Sequence, residues 1–360
     1  MTDGSGVEQM SVVVTTKSVG DVTETTAADV ATSSSPGSEF YFQCAIIVIG
    51  AVGTATNAFI LYAMVASKQL KKQLLIFHQN VLDCFSSLLL MITYAVKLCN
   101  IYLIGSLGYW LCMWIISECL IHTVISASRA NLIFLTIERY LKVVYPVWSK
   151  KKLRKWMIYS AITFAWIGGF VNVCAVTFNT SGVVDGVCYA YVMWESQASQ
   201  TAYGIFTIFY DYVLIMCVFI FCYWRILLAI RRQASVMAGH SGPGALIAQI
   251  QSNQIQSSVI KTMILVSVFY AISNLPLYVY YMPMHMSTNA TILISSYYAS
   301  LFISYFYLCA NPLIYALKFD PVKRVLLHLI PCKKNAVQAI ESIDVSASHR
   351  PTTDAAEARN

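Results

Sequence analysis

Four charged residues in apolar surroundings are where this chain could do chemistry. Glu138 and Arg139 stand side by side at the end of a long apolar run, in Thr136-Ile137-Glu138-Arg139-Tyr140. Adjacent charges where a buried helix meets water are costly unless they are paired or aimed at solvent. Together they can form a latch, and parting of the surrounding helices would free Arg139 to meet a partner. The plainer reading is a helix-end cation favoured by the helix dipole. Asp83 is a lone carboxylate between Val81-Leu82 and Cys84-Phe85, and burial obliges it to find a partner. Arg129 precedes Arg139 by ten residues, which along a helix is about 15 Å. The chemistry on offer is the pairing and unpairing of charges. No buried nucleophile–base pair is evident, no His cluster could hold a metal, and the 11 cysteines contain no CxxC. Most of those cysteines fall in apolar runs, where a free thiol behaves as a small hydrophobe. An enzyme is accordingly not expected.

The elements that must position these charges are apolar. Of the 360 residues 58% are hydrophobic and only 11% charged, against about 25% charged in an ordinary soluble domain. Seven apolar runs occur, at about 42–66, 74–98, 110–143, 157–178, 203–230, 259–285 and 292–317. Each is near the roughly 20 residues needed to span a bilayer. Backbone polar groups find no water in lipid, so each run is predicted to be a helix. The expected fold class is an all-α membrane protein, a seven-transmembrane helix bundle over residues 42–317.

Of 24 Lys and Arg, all but Lys17, Lys97 and Arg129 fall on one side of these runs. A bias of that kind marks the cytoplasmic side. It leaves the N-terminus extracellular and the C-terminus cytoplasmic. It also argues against a nucleic-acid partner, because the cations sit at membrane boundaries and not in one soluble patch. Residues 1–41 read as a disordered extracellular tail and 333–360 as a disordered cytoplasmic one. Residues 318–332, with cations and apolar residues on alternating faces, suit a short amphipathic helix on the inner membrane surface, with membrane lipid as partner. The segment 232–258 contains Gly239-His240-Ser241-Gly242-Pro243-Gly244 and reads as a flexible loop. A transporter or proton pump using Asp83, Arg129 and Asp211 is the alternative from another class, although no inverted repeat is visible.

Seven runs, Glu138-Arg139-Tyr140 and Asn311-Pro312-Leu313-Ile314-Tyr315 together resemble the rhodopsin-like (class A) G-protein-coupled receptors. Further anchors follow in order, one or more per run: Asn57, Asp83, Ser128, Trp166, Tyr223 and Pro276. The resemblance covers about 42–332. It implies a plasma-membrane receptor that binds an extracellular ligand and activates heterotrimeric G proteins by helix rearrangement. It gives the coupling and switch roles to Glu138, Arg139, Tyr140, Tyr223, Asn311, Pro312 and Tyr315. Pro276 and Pro312 each remove a helical hydrogen bond, which makes either a hinge or a static kink. Asn57, Ser128 and Asn311 become the expected neighbours of Asp83, and the family often places a sodium ion there, at Asp83 and Ser128. Two positions that usually add polar groups to that site are Tyr307 and Leu308. A protonated Asp83 in a hydrogen-bond network, with no cofactor, is the other reading.

The mid-membrane positions depart from the family pattern. Related receptors usually hold an apolar residue where this chain has Arg129, a proline at Ile215 and a phenylalanine at Tyr270. Asp211 lies one helical turn from Ile215 on the same face, so Arg129 is expected to pair with Asp211, with Tyr270 in the same network. Asp83 or a water-filled cavity are the other destinations for the guanidinium. Asn274 stands where the family has a tryptophan, so the aromatic switch of that tryptophan does not carry over.

The resemblance places a ligand pocket in the outer half of the bundle, with Glu118, His122, Thr207, Asn274, Tyr278 and Tyr305 as candidates and Lys97 at the rim. Ile121 stands where amine receptors place a carboxylate, and Tyr305 where opsins carry the retinal lysine. A monoamine and a covalent retinal are therefore disfavoured, which leaves a peptide or a small polar molecule. Cys112 and Cys188 are the candidates for the family disulfide, with Cys99 as the other possible partner. The interval from Cys112 to Arg139 is longer than usual, and a bulge in the third span would absorb the surplus. Asn179 and Asn289 head N-glycosylation sequons, and Cys332 is a palmitoylation candidate.

Overall fold

The computed structural model describes residues 38–68, 73–237, 243–286 and 294–318. The chain forms α1 (Ser38–Ala66), α2 (Leu74–Leu98), α3 (Gly105–Leu111), a π-helical turn (Cys112–Ile116), α4 (Cys119–Val144), α5 (Pro146–Lys152) and α6 (Lys155–Thr180). A hairpin of β1 (Gly182–Val184) and β2 (Val187–Tyr189) follows, then α7 (Gln197–Ile208), a second π turn (Phe209–Val213), α8 (Leu214–Met237), α9 (Pro243–Met286) and α10 (Ile294–Lys318). Among the described residues, six helical stretches are long and apolar enough to cross a membrane: Glu39–Ala66, Leu74–Leu98, Gly105–Val144, Lys155–Thr180, Gln197–Arg232 and Ile260–Pro283. The 25-residue α10 packs against α1 and α9 and completes the bundle.

The main apolar cluster runs from Ile46 on α1 to Cys309 on α10, and two smaller ones gather around Cys112–Met113 and around Cys119 with Val173 and Cys174. Without a hydrophobic drive inside lipid, helices associate through close packing, and small residues permit it. A Cβ added at Gly50 would lie 2.8 Å from the backbone nitrogen of Met91 and 2.8 Å from the carbonyl oxygen of Ser87. Gly169 on α6 is pressed in the same way against the Thr123 carbonyl oxygen on α4, at 2.8 Å.

The third span is interrupted near its N-terminal end. Ser117 N–H donates to the Cys112 carbonyl at 2.9 Å, closing the π turn, and Glu118 follows in the left-handed region with φ 63°. The surplus between Cys112 and Arg139 is taken up here. Cys112 is disulfide-bonded to Cys188 of β2, while Cys99 is a free, exposed thiol. The hairpin turns through Asp185 and Gly186, both with positive φ (50° and 77°), as a two-residue turn matched to strand twist requires. Met193 N–H donates to the Thr180 carbonyl at 2.9 Å, and the Tyr191 hydroxyl bonds the Thr177 hydroxyl at 2.8 Å. These contacts tie the segment after β2 to the end of α6.

Three boundaries differ from expectation. The first helix begins at Ser38, so the predicted N-terminal tail ends earlier than residue 41. The predicted loop at 232–258 is largely helical, because α8 runs to Met237 and α9 starts at Pro243. Pro243 suits a first helical position, and Ala245-Leu246-Ile247-Ala248-Gln249-Ile250-Gln251 contains good helix formers. The expected tails and the amphipathic segment after Lys318 lie outside the described residues.

Replacing Gly50 with alanine is expected to lower the thermal midpoint of the purified chain, since the backbone of α2 must shift and overpacking costs about 1–3 kcal/mol. The same change at Gly168, where nothing lies within 4 Å of the added Cβ, should not lower the midpoint in the same fluorescence melt, since alanine is the better helix former.

Candidate functional site

Charged and polar side chains occupy the bundle axis at four levels. At the first level, next to the Cys112–Cys188 disulfide, the break in the third span turns Glu118 inward. Its carboxylate is ion-paired with Lys97 and accepts the Tyr305 hydroxyl at 2.9 Å, with His122 Nε2 at 3.6 Å. Lys97 also lies over the Tyr94 ring, 4.9 Å from its centre. A buried carboxylate needs such company. Three of the predicted pocket residues, Glu118, His122 and Tyr305, are thus brought together with Lys97.

The next level down holds Arg129 and Asp211, which form an ion pair between α4 and the second π turn. Arg129 Nη1 also donates to the Tyr278 hydroxyl at 3.0 Å. Tyr270 joins the group through the backbone, its hydroxyl donating to the Asp211 carbonyl oxygen at 2.6 Å. Asn274 donates to the Tyr270 carbonyl at 2.9 Å and accepts the Ser304 hydroxyl at 2.8 Å. Tyr278 and Asn274 therefore belong with Arg129, and no hydrogen bond brings Thr207 to either level. A cavity of about 30 Å³ lies beside Arg129, lined among others by Ser128, Asn274, Ser304 and Tyr305. That is room for one or two waters.

The third level centres on Asp83. Its Oδ1 accepts from Ser128 Oγ at 3.0 Å and from Gln79 Nε2 at 3.1 Å, and its Oδ2 accepts from Asn311 Nδ2 at 2.8 Å. Asn57 does not take the predicted place beside Asp83. Its amide donates instead to the carbonyls of Gly53 at 2.9 Å and Leu308 at 3.0 Å, stitching α1 to α10. The predicted core network is therefore several separate groups: Asp83 with Ser128 and Asn311, Arg129 with Asp211, and Asn57 on backbone carbonyls. Ser128 is the link in sequence between the first two, being adjacent to Arg129.

At the fourth level, at the opposite end of the bundle, Arg139 lies 3.4 Å from Glu138 and is also held by the side-chain oxygen of Gln73. Lys142 reaches back one turn to Glu138 at 2.6 Å. The Tyr223 hydroxyl sits between those of Thr136 at 3.3 Å and Ser267 at 2.9 Å, joining α4, α8 and α9. Tyr140 packs edge-on to Tyr145 and against Phe221. Pro312 lies inside α10 immediately after Asn311. The side chain of Tyr315, and Asn289 and Cys332, lie outside the described residues. Asn179 is exposed in the last turn of α6, with its amide folded onto the Ala175 carbonyl at 2.6 Å.

Sequence reasoning missed Gln73 and Gln79. Gln79 was findable: it stands four residues before Asp83, hence on the same helical face. Gln73 immediately precedes the first turn of α2 and carried no such signal.

The family model for the 7 transmembrane receptor (rhodopsin family) matches residues 56–315. No curated protein matches the chain.

Replacing Arg129 or Asp211 singly with alanine strands the other charge inside the bundle, at a cost of about 3–5 kcal/mol, and should remove most of the folded protein from the cell surface. The double exchange Arg129→Asp with Asp211→Arg should recover surface expression. Flow cytometry of an epitope-tagged chain measures both.

Proposed function

Because this chain belongs to the rhodopsin family of seven-transmembrane receptors, we propose that it is a plasma-membrane receptor for an extracellular ligand and activates heterotrimeric G proteins. In this reading α10 is the seventh span, the N-terminus is extracellular, the C-terminus is cytoplasmic, and Cys332 is acylated. Asn179 and Asn289 carry the glycans.

The observation that carries the reading is the fourth-level cluster. Arg139 is clamped by Glu138 from its own helix and by Gln73 from the start of α2. A cation held by a carboxylate and an amide at the end of a bundle has somewhere to go when the bundle opens. Parting α9 from α8 and α4 breaks the Tyr223–Ser267 bond and uncovers Arg139 for a G-protein helix. Pro276 in α9 and Pro312 in α10 interrupt their helical hydrogen bonding and supply the hinges.

Ligand binding belongs to the first level. A ligand that exchanges partners with Lys97 or Glu118 also disturbs Tyr305 on α10, because the Tyr305 hydroxyl rests on the Glu118 carboxylate. That couples the mouth of the bundle to the helix carrying Asn311 and Pro312. The partner chemistry this favours is a charged or strongly polar group, whether on a peptide or on a small molecule. The Arg129–Asp211 pair sits between the two ends and must be kept or re-formed whenever the helices shift.

The test is guanine-nucleotide exchange on a panel of G proteins by the chain reconstituted in lipid discs. Exchange by at least one G protein is expected, and Arg139→Ala should reduce it by at least tenfold while surface expression stays normal. Absence of exchange on every G protein, with ligand extracts and with variants that break the Arg139 clamp, would overturn the reading.

A further inference from the structure

We propose that the side-chain amide of Gln79 takes the seat a monovalent cation would fill at Asp83, so that this centre works without sodium. The residues that would hold the ion are Asp83 and Ser128, and the geometry around them does not fit one. Gln79 Nε2 reaches both oxygens a cation would bridge, Asp83 Oδ1 at 3.1 Å and Ser128 Oγ. A carboxamide nitrogen has two hydrogens to give, and both are used here. The second carboxylate oxygen is taken by Asn311 Nδ2 at 2.8 Å. Asp83 thus receives three donors, which fill both sites of Oδ1 and one of Oδ2, and it keeps a single lone pair where a metal would need a chelating edge.

Gln79 cannot turn its amide oxygen to the carboxylate, because a chain of hydrogen bonds fixes its orientation. Its Oε1 accepts from Asn131 Nδ2 at 2.8 Å. Asn131 gives its other hydrogen to the Leu75 carbonyl at 3.1 Å, so its Oδ1 is left as the acceptor for His78 Nδ1 at 3.0 Å. His78 Nε2 in turn accepts the Trp166 indole N–H at 3.1 Å. Every donor in this line faces an acceptor, and the line runs one way, from Trp166 on α6 to the carboxylate of Asp83. Flipping Gln79 would set oxygen against carboxylate at one end and N–H against N–H at the other.

The space next to the centre is also wrong for a cation. The cavity beside Ser128 is lined by the Arg129 guanidinium and by Tyr307 and Leu308. The guanidinium there is already committed to Asp211, and Leu308 offers no side-chain oxygen. A dry alkali ion wants several oxygens, and this centre supplies donors instead.

The experiment compares thermal midpoints of the purified full-length chain in sodium chloride and in choline chloride at equal ionic strength. A ligand that binds only the folded state raises the midpoint. The wild type is expected to melt at the same temperature in both salts, and a higher midpoint in sodium would overturn the proposal. Gln79→Leu removes the amide at similar volume. It is expected to melt lower than wild type in choline and to regain part of the loss in sodium. An equal loss in both salts would show Gln79 to be a structural amide only and would also overturn the proposal. Should this variant fail to fold, sodium-23 relaxation on the wild type decides. No saturable broadening relative to Asp83→Asn is expected, and saturable broadening that Asp83→Asn abolishes would count against it.

Discussion

Arg129 and Asp211 meet inside an apolar helix bundle, and the remainder of the interior is arranged so that such charges are never alone. An unpaired ion at that depth costs several kcal/mol. The pair therefore fixes the rotation of α4 and of the π turn at Phe209–Val213 relative to each other. Tyr278 and Tyr270 on α9 close around it. Three elements are thereby locked at one depth, where related receptors use apolar packing.

The same constraint repeats above and below. Glu118 is answered by Lys97 and Tyr305, Asp83 by Gln79, Ser128 and Asn311, and Arg139 by Glu138 and Gln73. Each group spans at least two helices, so sliding one helix has an electrostatic cost at several depths together. That makes the interior a set of discrete arrangements and not a continuously deformable one. A receptor that switches needs such discreteness, because a ligand can act only through differential contacts with distinct states.

Helix irregularities aim these side chains. Glu118 adopts a left-handed conformation directly after one π turn, and Asp211 lies within another. Both carboxylates owe their direction to a local break in the 3.6-residue period. Such breaks cost energy and persist where surrounding contacts over-determine them. The disulfide from Cys112 to Cys188 sits immediately at the first break, tethering it to the hairpin that follows α6.

Several things about this protein were legible in the residues themselves. Apolar run length dictated the helices, since lipid leaves the backbone no alternative. The spacing of Glu138-Arg139-Tyr140 and Asn311-Pro312 carried the family. Counting along one helix was enough to place Arg129 deep and to demand an anion for it. What the residues could not decide was which polar groups close on which. Asn57 turned to backbone carbonyls and Gln79 took the place beside Asp83, a choice made by how α1, α2 and α10 rotate against one another. The helical continuation through 243–258 was likewise hidden, because a glycine-rich start masks the helix formers that follow. Hydrophobicity is read along the chain, but hydrogen-bond partners are set by azimuth and depth between helices. Only the packed bundle determines those two coordinates.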